Sequence, residues 1–218
     1  MRKYLLLIPI LILALASVGW ADVFTGSISG PGNGLYGTDG WSDAILDWTV
    51  TTPDQSASGY WEYTYTFEDA TKSISHLVIE VSDSFDEANI FEGTTAGYDL
   101  DTYSEQGPGN SNPGLPEPIW GIKWNTSGDP LEFSVKIVTD RAPMYGNFYA
   151  KDGVYNPQGS ELPIDVYAWS GTANGFGYNI PVPDTTNGNG EVPEPATMIL
   201  LGSGLVGLGG YMRKRMKK

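Results

Sequence analysis

Apolar and polar positions alternate with a period of two over most of the middle of the chain. Between residues 60 and 67, Trp61, Tyr63, Tyr65 and Phe67 fall on one face, and Glu62, Thr64 and Thr66 on the other. Successive side chains of a strand point to opposite sides, so this pattern predicts a half-buried β-strand whose aromatic row is core. The same alternation sets Leu77, Ile79 and Val81 against His76, Val78 and Glu80 in residues 74–82. It recurs in 118–124, where Trp120, Ile122 and Trp124 share a face, and in 131–138, where Leu131, Phe133, Val135 and Ile137 do. Weaker runs at 22–29, 44–51, 145–150, 163–169 and 176–180 complete eight or nine strands, punctuated by Gly, Pro, Asn and Asp turns. Residues 83–112 are acidic and rich in Gly and Ser, and predict irregular loops or a short helix. With almost no helical periodicity, the body 22–182 is expected to be all-β, a single antiparallel β-sandwich of jelly-roll-like form.

The two ends follow a different pattern. Met1, Arg2 and Lys3 precede a 14-residue apolar run at 5–18, and Gly19 and Ala21 put small residues before Asp22. This is the layout of a signal peptide over residues 1–21, cleaved by signal peptidase between Ala21 and Asp22. At the other end, a polar linker (183–191) leads to Pro193, Glu194 and Pro195 and then to 17 uncharged residues, 196–212. As a helix that run is about 25 Å long, at the lower limit for a hydrocarbon core of about 30 Å. Arg213, Lys214, Arg215, Lys217 and Lys218 come after it, and their charge predicts a cytoplasmic stop with the body on the far side. Five glycines in the run (Gly202, Gly204, Gly207, Gly209, Gly210) weaken a permanent anchor and suit close approach to another helix.

A Pro-Glu-Pro directly before a short apolar helix and a terminal basic cluster resembles the PEP-CTERM sorting signal of Gram-negative bacteria, here at residues 192–218. The resemblance implies an exosortase, a membrane-embedded cysteine transpeptidase, as partner and cleavage near the Pro-Glu-Pro. It also implies an inner-membrane stage before processing and a final place at the cell surface or outside. Segments 74–85, 109–116 with 121–123, and 140–143 with 146–153 resemble stretches that recur in the bodies of some PEP-CTERM proteins. That second resemblance carries no active site with it.

Charge changes the picture of the exported part. All 26 acidic residues lie between Asp22 and Glu194, against Lys72, Lys123, Lys136, Arg141 and Lys151, a net −21. Such a surface argues against nucleic acid and anionic polysaccharide as partners, and favours solubility and cations. The absence of cysteine excludes disulfides, thiol catalysis and cysteine metal sites. The single histidine, His76, cannot form a histidine cluster, and no Gly-x-Ser-x-Gly elbow is present. Gly32-x-Gly34-x-x-Gly37 matches the dinucleotide fingerprint, yet no helical pattern comes after it.

Two candidate sites stand beside the sorting motif. Asp83, Asp86, Glu87, Asp99 and Asp101 are oxygen ligands suited to calcium, without EF-hand spacing. Trp120, Trp124 and Trp169 are candidate glycan contacts if they face solvent. The expected function is that of an exported structural or interaction protein of the envelope or extracellular matrix, without catalytic activity or an obligate cofactor. The alternative is a carbohydrate-binding module for neutral glycans such as those of an exopolysaccharide, and a glycan-active enzyme ranks third.

Overall fold

The computed structural model describes residues 23–30, 32–38, 40–69, 72–105, 112–128, 130–155 and 164–184. The expected signal peptide, the sorting tail and its apolar run lie outside the described residues. Four antiparallel strands form the first sheet: β1 (Val23–Ser29), β3 (Ile45–Thr51), β4 (Trp61–Glu68) and β8 (Glu132–Thr139), in the order β1-β3-β4-β8. A second sheet runs β12 (Gly175–Phe176), β11 (Ile164–Thr172), β10 (Phe148–Tyr155), β5 (His76–Glu80), β7 (Ile119–Asn125) and β6 (Tyr98–Tyr103), with β2 (Leu35–Gly37) also paired to β11. A ribbon of β9 (Pro143–Gly146) and β13 (Ile180–Pro183) stands apart.

The inward faces of both sheets supply one hydrophobic core. Leu46, Val50, Tyr63, Tyr65, Phe67, Val135 and Ile137 come from the first sheet, and Leu77, Ile79, Ile122, Trp124, Phe148 and Ala150 from the second. Phe67 and Phe148 meet across the interface with ring centroids 5.8 Å apart. The alternation of β4 therefore does what its pattern predicts. Tyr63, Tyr65 and Phe67 are fully buried, and the two phenols donate hydrogen bonds of 2.8 Å to the carbonyls of Arg141 and Pro181. Burial of such a side chain contributes about 1.5–3 kcal/mol, which a body without disulfides needs from its core. The low dielectric around the two phenols raises both pKa values.

Two expectations are corrected. Thirteen strands among the described residues, where eight or nine were expected, form a four-stranded sheet, a seven-stranded sheet and a ribbon. The region 83–112, expected to hold irregular loops or a short helix, has one short helical element, the 3-10 turn Glu87–Asn89, and in addition the edge strand β6. Asp86 caps that turn, accepting from the Ala88 amide at 2.9 Å, while Asn89 closes the capping box. That turn is the one helical element among the described residues, and none of them forms a helix long and apolar enough to cross a membrane.

The outer face of the large sheet is also covered. Val78, Tyr149, Trp169, Leu115 and Ile119 form a second apolar cluster there. The segment around Asn112–Leu115 lies on it: the Tyr149 hydroxyl donates to the Pro113 carbonyl at 2.9 Å. Gly114 sits against the Tyr167 ring with φ of +71°, where a Cβ would collide with the ring and the backbone is strained for any other residue.

Candidate functional site

Of the tryptophans expected to meet glycans, two are buried and Trp120 is half-buried. Trp124 is 1% exposed on the inner face of β7, and its indole N–H donates to the Thr95 carbonyl at 2.9 Å. Trp169 is 5% exposed, packed between Tyr36 (ring centroids 4.4 Å apart) and Tyr167 (5.6 Å). Trp120 is half-buried against the core, with its N–H given to the Phe85 carbonyl at 3.0 Å. Alternation placed Trp120 and Trp124 on one face correctly. That face is the interior, so Trp124 offers no ring to a ligand, and Trp169, in the apolar cluster on the outer face, is covered by its neighbours.

The five acids expected to bind calcium do not converge. Asp86 is spent on the helical turn, and Glu87 accepts from the Tyr98 hydroxyl at 3.3 Å. Asp101 accepts from the Thr102 amide at 2.7 Å. Asp99 lies opposite Lys123 in the β6–β7 pairing and accepts from the Tyr103 hydroxyl at 3.3 Å. Asp83 is exposed in the turn after β5. Among the described residues, no three carboxylate or imidazole groups come close enough to hold a metal ion. The strand β6 sets Asp99 and Asp101 two positions apart on the face away from the core, whereas the 3-10 turn carries Asp86 and Glu87.

Two polar clusters that alternation could not reveal occupy the large sheet. In the first, His76 is 3% exposed, and its Nε2 lies 3.0 Å from Asn112 Oδ1. An amide oxygen only accepts, so this contact assigns the proton to Nε2. Burial, and next the charge of Lys123, push the His76 pKa down to about 3, against a smaller upward pull from the Asn112 bond. Lys123 itself is 1% exposed, with its ammonium 5.4 Å above the Tyr103 ring. Burial lowers its pKa and Asp99 draws it back. A covered, neutral imidazole beside a sheathed ammonium fixes a loop. It is not presented to an external substrate.

In the second cluster, Glu80 ends β5 and accepts from Asn147 Nδ2 at 2.7 Å. Asn147 Oδ1 in turn accepts from Ser170 Oγ at 3.1 Å and from the Tyr178 amide at 2.9 Å. Burial raises the Glu80 pKa, and the charges of Glu117 and Asp83 add to it, while the Asn147 bonds pull it down. Tyr178 holds a left-handed φ of 48°, and its hydroxyl donates to Glu117 at 2.7 Å. That bond leads the effects that push its phenol to about 12. An open cavity of about 310 Å³ beside Glu80 is lined by Val81, Ser82, Asp83, Ser84 and Met144.

The decisive functional signal is therefore at the end of the chain rather than on the sheets. Residues 191–215 match the PEP-CTERM protein-sorting motif. The PEP-CTERM match contains Pro193, Glu194 and Pro195 and reaches Arg215, and it marks the chain as an exported, cell-surface-directed protein with an exosortase as processing partner. Lys217 and Lys218 lie beyond it, and these residues, like Ala21 and Asp22, lie outside the described residues. No curated protein and no solved structure matches the chain.

Proposed function

We propose that the chain is a non-catalytic structural or interaction protein of the cell envelope or extracellular matrix, delivered by its PEP-CTERM motif. Export by way of signal peptidase comes first. The C-terminal apolar run then holds the chain at the inner membrane until an exosortase cuts near the Pro-Glu-Pro. The body reaches the surface, where an exopolysaccharide matrix is its surrounding. The observation that carries this reading is the motif at 191–215, attached to an antiparallel body with a shared core. The acidic charge of −21 on that body suits a solvated surface component. With Trp124 and Trp169 buried, the half-buried Trp120 is the one of the three tryptophans left to the alternative, a neutral-glycan module.

Intact mass of the protein recovered from the cell surface tests the proposal. The expected mature chain lacks residues 1–21 and most of the segment beyond Pro195. Replacing Pro193 and Glu194 by alanine is expected to leave the precursor in the membrane fraction. Surface material that still ends at Lys218 would overturn exosortase processing.

A further inference from the structure

The small sheet ends on one side at β1, and the hydrogen bonds at the end of that strand fix which of its backbone groups face outward. The Ser29 amide donates to the Asn33 carbonyl at 3.2 Å, and the Gly30 amide to the Ala44 carbonyl, next to β3, at 3.4 Å. Backbone groups alternate in direction along a strand, so Phe24, Gly26 and Ile28 point theirs at β3, and Val23, Thr25 and Ser27 point theirs away. Among the described residues, those three outward positions have no backbone partner, whereas Ser29 is taken by Asn33 and by its bridge to Gly34. Val23, Thr25 and Ser27 are exposed.

Other sheet edges carry protection that β1 lacks. The segment 91–95 covers β8, Asp99 and Asp101 stand on β6, and β12 is two residues long. β1 has no proline and no charge, and its register with β3 runs without a bulge. Residues 23–38 hold no charged side chain, in a body of net −21. Two copies of so acidic a body repel each other, and that repulsion is weak along a charge-free edge. The nearest acid on the neighbouring strand is Asp47, opposite Ser27. Across two joined β1 edges the Asp47 carboxylates are at least three strand spacings, about 14 Å, apart, beyond the Debye length of about 8 Å at 0.15 M.

We propose that β1 is a self-pairing edge, through which two copies of the exported chain join antiparallel about a two-fold axis at Thr25. The three free positions are symmetric about Thr25. A two-fold there sets Thr25 against Thr25 of the second copy and Val23 against its Ser27, and the occupied Ser29 falls outside the pairing. Each opposed pair exchanges two backbone hydrogen bonds. All pairs join residues of one face, so the inward side chains stay inward. Phe24 of each copy meets Gly26 of the other, at the place where the Trp48 ring lies so close that a Cβ on Gly26 would collide with it. The two four-stranded sheets become one, with β8 and its cover at both outer ends, so the assembly closes as a dimer and does not grow into a fibre. This goes beyond the sorting reading and does not depend on it.

The chain has no cysteine, so a single introduced thiol reports on the axis. In the exported chain, Thr25→Cys sets two thiols opposite each other within the Cα separation that a disulfide spans. Under mild oxidation it is expected to form a linked dimer about tenfold faster than Ala57→Cys, which puts a thiol on the exposed loop 52–60. Val23→Cys and Ser27→Cys are expected to link to each other when mixed, and far more slowly alone. Sedimentation is expected to show the unsubstituted chain as a dimer, and Thr25→Pro, which removes an outward amide, as a monomer. Equal linking rates for Thr25→Cys and Ala57→Cys, or an unsubstituted chain that sediments as a monomer at every concentration, overturn the pairing. Linkage of Thr25→Cys to a different protein and not to itself overturns the second copy as the occupant. None of these results bears on exosortase processing, which the intact mass decides separately.

Discussion

At the scale of single residues, His76 shows how one buried group sets a pH limit. Its imidazole is neutral in the fold with a pKa near 3, whereas the unfolded chain takes a proton at about the ordinary 6.5. The folded pKa of a base is depressed, so below 6.5 the unfolded state binds a proton that the native state refuses. Stability from this group is complete above about pH 6.5 and is lost as pH falls toward 3. At about 1.4 kcal/mol per pH unit, the step from pH 7 to pH 5 costs about 2 kcal/mol. A His76→Gln variant keeps an amide donor for Asn112 and is expected to flatten that limb in urea melts across pH. Because His76 is the only histidine, its ring proton resonance is a direct check. A native-state midpoint near 6.5 would contradict the burial argument.

At the scale of elements, one edge of the small sheet is covered by a segment that is not a strand. The outer edge of β8 is closed by the segment 91–95. Phe91 and Thr95 amides donate to the Val138 and Lys136 carbonyls, both at 2.9 Å. The Lys136 and Val138 amides donate to Thr95 Oγ1 at 2.8 Å and Thr94 Oγ1 at 2.9 Å. Two threonine hydroxyls thus do the work of a fifth strand, and an unprotected edge is the usual seed of aggregation. Replacing both by valine keeps the shape and strands two amides. The expected cost is about 1–3 kcal/mol, with concentration-dependent association seen by light scattering. A double variant with an unchanged melt and monodisperse scattering would show that the cover is incidental.

This element also marks where sequence reading stopped. Alternation located β4, β5, β7 and β8 and the inward side of each, because one face of a sheet meets the core and the other does not. It missed β13, whose Ile-Pro-Val-Pro reads as a breaker yet pairs with β9 in a two-stranded ribbon where half the amides need no partner. Here β13 runs on to Pro183, the residue at which the linker was expected to begin. Tyr98 and Leu100 did alternate with Asp99 and Asp101, but the acids made the segment read as loop. The covering of the outer face by Asn112–Leu115, and with it the burial of His76 and Trp169, arises from contacts far apart in sequence that no local pattern encodes. The sorting motif was legible in full because it is itself a local pattern.

At the scale of the whole molecule, the acidic charge acts against the fold that carries it. A net −21 on one compact body repels itself, and the unfolded chain relieves that repulsion by spreading. Salt bridges do little to offset it: Lys136 with Glu62 at 3.5 Å is a partly exposed pair, the kind that contributes about 0–1 kcal/mol. The Debye length falls from about 30 Å at 0.01 M to about 8 Å at 0.15 M, so salt screens most of the long-range term. The melting temperature of the body is therefore expected to rise with sodium chloride and to level off by a few tenths molar. Calcium separates screening from binding. Because the candidate acids are spread over separate elements, calcium chloride at matched ionic strength is expected to give the same rise as sodium chloride. An additional, saturable rise that vanishes in Asp83→Asn or Asp99→Asn would show that these carboxylates gather around an ion after all, and would restore calcium as a ligand of the exported body.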